Sequence, residues 1–176
     1  NKKGGSLTGK ICLADYHHKY KDFKKAAAIY EELTEEFPNN MTLKNYHLVN
    51  LNFTNEPSQL EKAIKIIKKL LPITDTFNSN FINTLARLIE DYNYLERYSL
   101  EVNEALKLIL KEKVEKGSIE RLLEQMLYTK INHQEKFNAN IDNDLFINCI
   151  QTSFDLGVVF ERIQNRLNFN DIKSFV

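Results

Sequence analysis

No apolar run in this 176-residue chain approaches the roughly 18 uninterrupted residues of a membrane-spanning helix, so no membrane association is expected. Net charge is missing as well. The 24 basic and 24 acidic side chains cancel, whereas a general nucleic-acid binder carries a basic excess. The one basic stripe, Lys62, Lys65, Lys68 and Lys69, has no interleaved aromatics and reads as the solvated face of a helix. No nucleic-acid partner is expected. Cysteine is scarce: Cys12 and Cys149 form no CxxC pair and give neither a disulfide framework nor a zinc signature. Both read as small core residues, and the expected location is intracellular, in the cytoplasm. Three prolines and five glycines leave little to interrupt helices, and alternating β-branched runs are absent. The chain therefore reads as all-α.

Signatures of chemistry are also thin. Nucleophilic catalysis needs an activated Ser or Cys beside a base, and neither a GxSxG elbow nor a Cys/His signature occurs. The adjacent glycines, Gly4-Gly5, lie in the leading NKKGGS segment and make no phosphate loop. Cys12, Asp15, His17 and His18 are metal-ligand types, but helical spacing brings only Cys12/Asp15 and Asp15/His18 onto shared faces. That falls short of the ligand set of a structural site. Glu31-Glu32 and Glu35-Glu36 sit among lysines at helical spacing and read as solvated faces. No catalytic residue, cofactor or metal is expected, and the chain does not read as an enzyme.

What is present is helical periodicity with punctuation. In the stretch from Asp22 to Asn40, Asp22 can cap a helix. Phe23, Ala26, Ala27, Tyr30 and Leu33 recur at spacings of three and four, and Pro38 with Asn39-Asn40 ends the run. Before it, residues 7–20 form a helix that Ser6 or Thr8 can cap, with Leu13-Ala14 as a large-then-small pair. Residues 41–54 give another helix, with Leu48 and Leu51 inward. After a loop at Asn55–Pro57, Ser58 and Glu61 have the spacing of a capping box for the helix up to Leu71. A joint over 73–79 leads to a helix from Asn80 to Tyr92 carrying Leu85-Ala86, with Ile82 and Ile89 one turn to either side. Residues 93–98 extend it. Ser99 opens the next helix, which closes near Gly117. Ala63/Ile67 and Ala105/Ile109 repeat the spacing of Ala26/Tyr30, at 37 and then 42 residues.

Beyond Gly117 the pattern fades. Ser118 can cap a helix with Ile119, Leu122, Leu123, Met126 and Leu127 apolar. The segment 135–144 is polar and turn-rich. Asp142 or Asn143 then caps a long helix whose Phe146, Ile147, Ile150, Phe154, Val158 and Phe160 suggest deep burial. Residues 168–176 read as a short last helix or a cut end.

The small residue Ala26, the aromatic Tyr30 four on and Pro38 eight further resemble the tetratricopeptide repeat. His17 and Lys10 depart from it, standing where the family has an aromatic and often tryptophan. The family period is about 34 residues, so the wider spacings here imply longer loops. The resemblance implies a right-handed α–α superhelix: a leader or appended remnant over 1–6, three degenerate hairpins over 7–117, and a helical pair over 118–176 capping or continuing the array. It also implies a concave groove that binds a peptide or protein partner without catalysis. The family's groove positions fall on Thr8, Ile11, Asp15 and His18, on Asn45, Val49 and Asn52, and on Asn83, Arg87 and Glu90. Asn45 and Asn83 share a repeat position, and an amide both donates to and accepts from a peptide main chain. Where the family's chaperone-tail binders hold a carboxylate with lysine and asparagine, this chain has Ile11 and Asp15, so such a tail is not expected to bind. Two other expectations stand beside this one. The missing initial methionine and abrupt ends fit a regulatory or sensor segment of a larger multidomain enzyme, such as a protease. An apolar face over Leu145–Phe160 fits a structural homo-oligomer.

Overall fold

A computed structural model describes residues 6–111, 114–153 and Glu161. The fold is all-α: ten α-helices and no strand among the described residues. None of those helices is long and apolar enough to cross a membrane. The chain divides into two compact units, Asn1–Ile73 and Thr74–Val176.

The N-terminal unit holds α1 (Leu7–Lys19), α2 (Phe23–Glu36), α3 (Met41–Thr54) and α4 (Pro57–Leu70), each packed on the next. Ser6 caps α1 by accepting from the Gly9 amide at 3.1 Å, and Asn40 caps α3 by accepting from the Leu43 amide at 3.1 Å. The turn between α1 and α2 is a Schellman motif. Asp22 N–H donates to His17 C=O and Lys21 N–H to His18 C=O, both at 2.9 Å. Asp22 then caps α2, accepting from the Lys25 amide at 3.4 Å. Lys21 sits at φ 61°, where glycine is the usual residue because an L side chain crowds the backbone. Lys21→Gly should therefore raise the stability of the N-terminal unit by about 0.5–1 kcal/mol, read as a higher urea midpoint.

The small residues at repeat spacing let these helices approach. Ala14, Ala26 and Ala63 are fully buried, and Tyr30, Leu33, Leu48, Leu51 and Ile67 fill the space around them. Leu13, the large member of its pair, is 50% exposed. Two expectations are corrected here. Cys12 is exposed and is no core residue. The Ser58–Glu61 capping box does not form. The helix begins at Pro57 with Glu56 as its cap residue, since proline's fixed φ and missing N–H suit the first helical position.

The C-terminal unit begins with a 3-10 turn at Asp75–Phe77. It continues through α5 (Asn78–Leu88), α6 (Tyr92–Arg97), α7 (Ser99–Lys111), α8 (Lys116–Asn132), α9 (Gln134–Asn140) and α10 (Asn143–Ser153). α5 packs on α7 and α8, and α10 packs on α7 and α8. Ala105, the third repeat-spaced small residue, is fully buried on α7, and Ile109 lies with it in the core.

Several boundaries differ from those expected. The helix expected over 80–92 ends at Leu88, because Asp91 starts a new one by accepting from both the amide and the side chain of Asn93. Ser99 is the first residue inside α7, which follows α6 almost without a break. Gly117 lies in the first turn of α8 and closes nothing, and Ser118 is a buried helical residue. The polar segment 135–144 contains a helix, α9, since Phe137 is fully buried against Phe146 with ring centroids 5.2 Å apart. Asp142 does cap α10, accepting from the Leu145 amide at 3.0 Å. Phe146 and Cys149 are buried there, whereas Ile147 is exposed on the opposite side and Ile150 is half-buried. Phe154, Val158, Phe160 and the expected last helix over 168–176 lie outside the described residues.

Candidate functional site

In the N-terminal unit, α1 and α3 meet over α2 and present polar and aromatic side chains in fixed positions. Asp15, on α1, accepts a hydrogen bond at 2.6 Å from the Tyr30 hydroxyl of α2. Tyr30 is buried. Desolvation first, and then the neighbouring Asp15 carboxylate, push its pKa upward, so the phenol stays protonated and keeps donating. The Tyr46 ring of α3 stacks on Tyr30 at 5.4 Å and is itself 45% exposed. An exposed carboxylate is thus held to a buried hydroxyl, next to an exposed aromatic ring that rests on that hydroxyl's own ring.

One turn along α1, His18 is fixed in the same way. Its Nδ1 lies 2.9 Å from Asn50 Oδ1, and Asn50 Nδ2 donates to the Tyr46 carbonyl at 2.8 Å. Because the amide nitrogen is committed to that carbonyl, Asn50 offers its oxygen to His18, and Nδ1 is the protonated nitrogen. The imidazole stands edge-on to Phe23 and Phe53, at 5.4 and 5.7 Å. Those two rings stack at 5.0 Å, and Phe53 is 45% exposed. A cleft of about 260 Å³ opens beside them, between the α1–α2 and α3–α4 turns.

Of the residues expected in a groove, Asp15 and His18 come together on this face. Ile11 packs partly buried against the core of Ala14, Tyr30, Leu33 and Leu43. Thr8 is exposed near the start of α1. Asn45, Val49 and Asn52 are half-buried on α3, one position before Tyr46, Asn50 and Phe53 and so turned by one residue's rotation. The C-terminal unit carries the remaining three. Asn83 Nδ2 donates to Ser118 Oγ at 2.7 Å, joining α5 to α8. Arg87 is half-buried, and burial, reinforced by Arg121, draws its pKa down. Glu90 is exposed just beyond α5.

Sequence reasoning missed Tyr46, Asn50 and Phe53. Their signal was there: two aromatics and an amide at i, i+4 and i+7 of one helix. No group of three or more His, Cys, Asp or Glu among the described residues is placed to hold a metal.

Behind the face, α3 contributes His47, which is only 3% exposed and whose Nε2 has no hydrogen-bond partner among the described residues. Burial pushes its pKa down to about 4. Glu31 of α2 and Lys62 of α4 act on it with opposite signs, and they bridge each other at 2.6 Å.

No family model, curated protein or solved structure matches this chain.

Proposed function

We propose that the chain is a non-catalytic recognition module built of tetratricopeptide-like helical hairpins, stacked in a right-handed superhelical sense within each unit. In this reading it binds a peptide or protein segment along α1 and α3 of the N-terminal unit. The architectural part is supported by the repeat-spaced pairs. Ala26/Tyr30, Ala63/Ile67 and Ala105/Ile109 are all in the core, as hairpins that close on small residues require.

The observation that carries the functional part is the order of an exposed face. Tyr46 and Phe53 present ring surface to solvent, while Asp15, His18 and Asn50 are oriented by hydrogen bonds. Aromatic side chains held in place offer large contact area at little entropic cost, and such residues dominate binding energy in interfaces. The exposed Asp15 carboxylate beside them supplies an acceptor for a donor of the peptide.

The test is capture from the source cell by the intact chain, by Asn45→Ala/Tyr46→Ala/Phe53→Ala, and by a control, Lys65→Ala/Lys69→Ala, on the exposed face of α4. All three should first show equal helicity. A partner held by the intact chain and the control, and lost at least tenfold by the triple variant, is the expected outcome. Equal retention by the triple variant would contradict the proposal.

A further inference from the structure

We infer that the outer face of α1 is a dimer interface, on which a second copy of this chain packs its own α1 in antiparallel orientation about a two-fold axis.

The face is a stripe on the side of α1 turned away from its own core. At about 100° per residue, Gly9, Leu13, Tyr16 and Tyr20 fall within about 60° of one another, opposite the side on which Ala14 is buried and His18 meets α3. Tyr20 keeps that register, since its N–H donates to the Tyr16 carbonyl at 3.1 Å. Leu13, Tyr16 and Tyr20 are each at least half exposed, and the two tyrosine rings lie against one another with centroids 4.6 Å apart. Ordered apolar surface of this kind marks a contact site.

Three observations select a second copy as the occupant. Successive members of the stripe are four, three and four residues apart, so the order of spacings is the same from either end. A self-complementary two-fold contact requires that symmetry, and turning α1 end for end sets Leu13 against the partner's Tyr16. Size matches as well, because the same rotation sets Gly9 against the partner's Tyr20, the smallest member against a large one. Gly9 has no use within the chain: its φ is negative, a side chain there would meet only Ser6 Oγ, at 3.3 Å, and glycine weakens a helix relative to alanine. Charge is the third. Lys24 and Glu31 of α2 pair with Glu56 and Lys62, on the side of α3 and α4, and Asp15 is held midway by Tyr30. Of the remaining described charges on α1, α2 and their turn, Lys19, Lys21 and Lys25 lie with Asp22 at the turn end, and Glu32, Glu35 and Glu36 lie with Lys10 at the other. One end is net positive and the other net negative. Antiparallel pairing lays each basic end on the partner's acidic end, whereas parallel pairing would lay like on like. The α1–α3 face stays open in this dimer, because Asp15 and His18 project from other sides of α1.

Analytical ultracentrifugation from micromolar to millimolar concentration should show the mass doubling, with weaker association at higher salt. Tyr16→Ser/Tyr20→Ser alters only exposed side chains, so its urea midpoint at low concentration should be unchanged, while its dimerisation should weaken at least tenfold. Gly9→Leu separates a fitted contact from a merely adhesive one. It adds apolar surface, yet should weaken the dimer severalfold, because leucine occupies the space of the partner's Tyr20. Direction is read in a Cys12→Ser background by mixing a Gly9→Cys chain with a Tyr20→Cys chain in oxidised glutathione, where the mixed disulfide should dominate over both homodimeric ones. A monomeric mass throughout would overturn the inference, as would a dimer that the tyrosine variant forms equally well. Tighter association of Gly9→Leu, or homodimeric disulfides in excess, would overturn the antiparallel two-fold arrangement.

Discussion

Replacing His47 with leucine should stabilise the N-terminal unit, and the gain should be about 2 kcal/mol larger at pH 5 than at pH 7.5. His47 is buried on α3, its Nε2 has no partner among the described residues, and its pKa in the folded chain is about 4 against 6.5 for an ordinary histidine. Between those values the unfolded chain binds a proton that the folded chain refuses. Stability is therefore fully present above pH 6.5 and is lost as the pH falls towards 4, by about 3 kcal/mol in all. Glu31 favours the charged ring and Lys62 opposes it, so burial decides the direction. Leucine has no proton to refuse and no nitrogen to desolvate. Urea unfolding of both proteins between pH 4.5 and 8 checks this. Parallel pH profiles would mean that His47 is not held neutral in the folded chain.

Tyr30 separates packing from positioning. Tyr30→Ala removes a fully buried ring from the junction of α1, α2 and α3, and should cost about 3–5 kcal/mol. Tyr30→Phe keeps the ring and its stack on Tyr46 but removes the donor to Asp15. It should cost about 1–2 kcal/mol, because the lost hydrogen bond goes to a charged but exposed partner. The phenylalanine variant should nevertheless bind a partner of the proposed α1–α3 face more weakly than its small loss of stability would suggest, since Asp15 is no longer held. Unfolding midpoints and peptide affinities measured on the same two variants decide it. Equal losses of stability would show that the hydroxyl, not the ring, supports the fold.

How much of this was legible in the sequence follows from which residues have local signals. The helix from Phe23 to Glu36 was readable because a capping aspartate, an apolar stripe and a proline stop agree with one another. The same holds for the core alanines, whose spacing marks where helices must approach. Three kinds of feature were not readable. The Schellman turn passes through Lys21, which carries none of glycine's signal. α9 is a polar segment made helical by one phenylalanine, whose burial depends on α8 and α10. The α1–α3 face depends on the rotation of α3, and transferring repeat positions by number selected Asn45, Val49 and Asn52. The contacts to α1 come from the side one residue further along. Asn83 illustrates the limit of residue type as a guide, since its amide nitrogen already donates to Ser118 inside the C-terminal unit.

The most direct test is amide hydrogen exchange on the chain with and without a partner captured from the source cell. Exchange should slow in peptides covering residues 7–19 and 41–54, with the exposed lysine face of α4 unchanged. Protection confined to α4, or to α8–α10, with α1 and α3 exchanging as in the free chain, would contradict it.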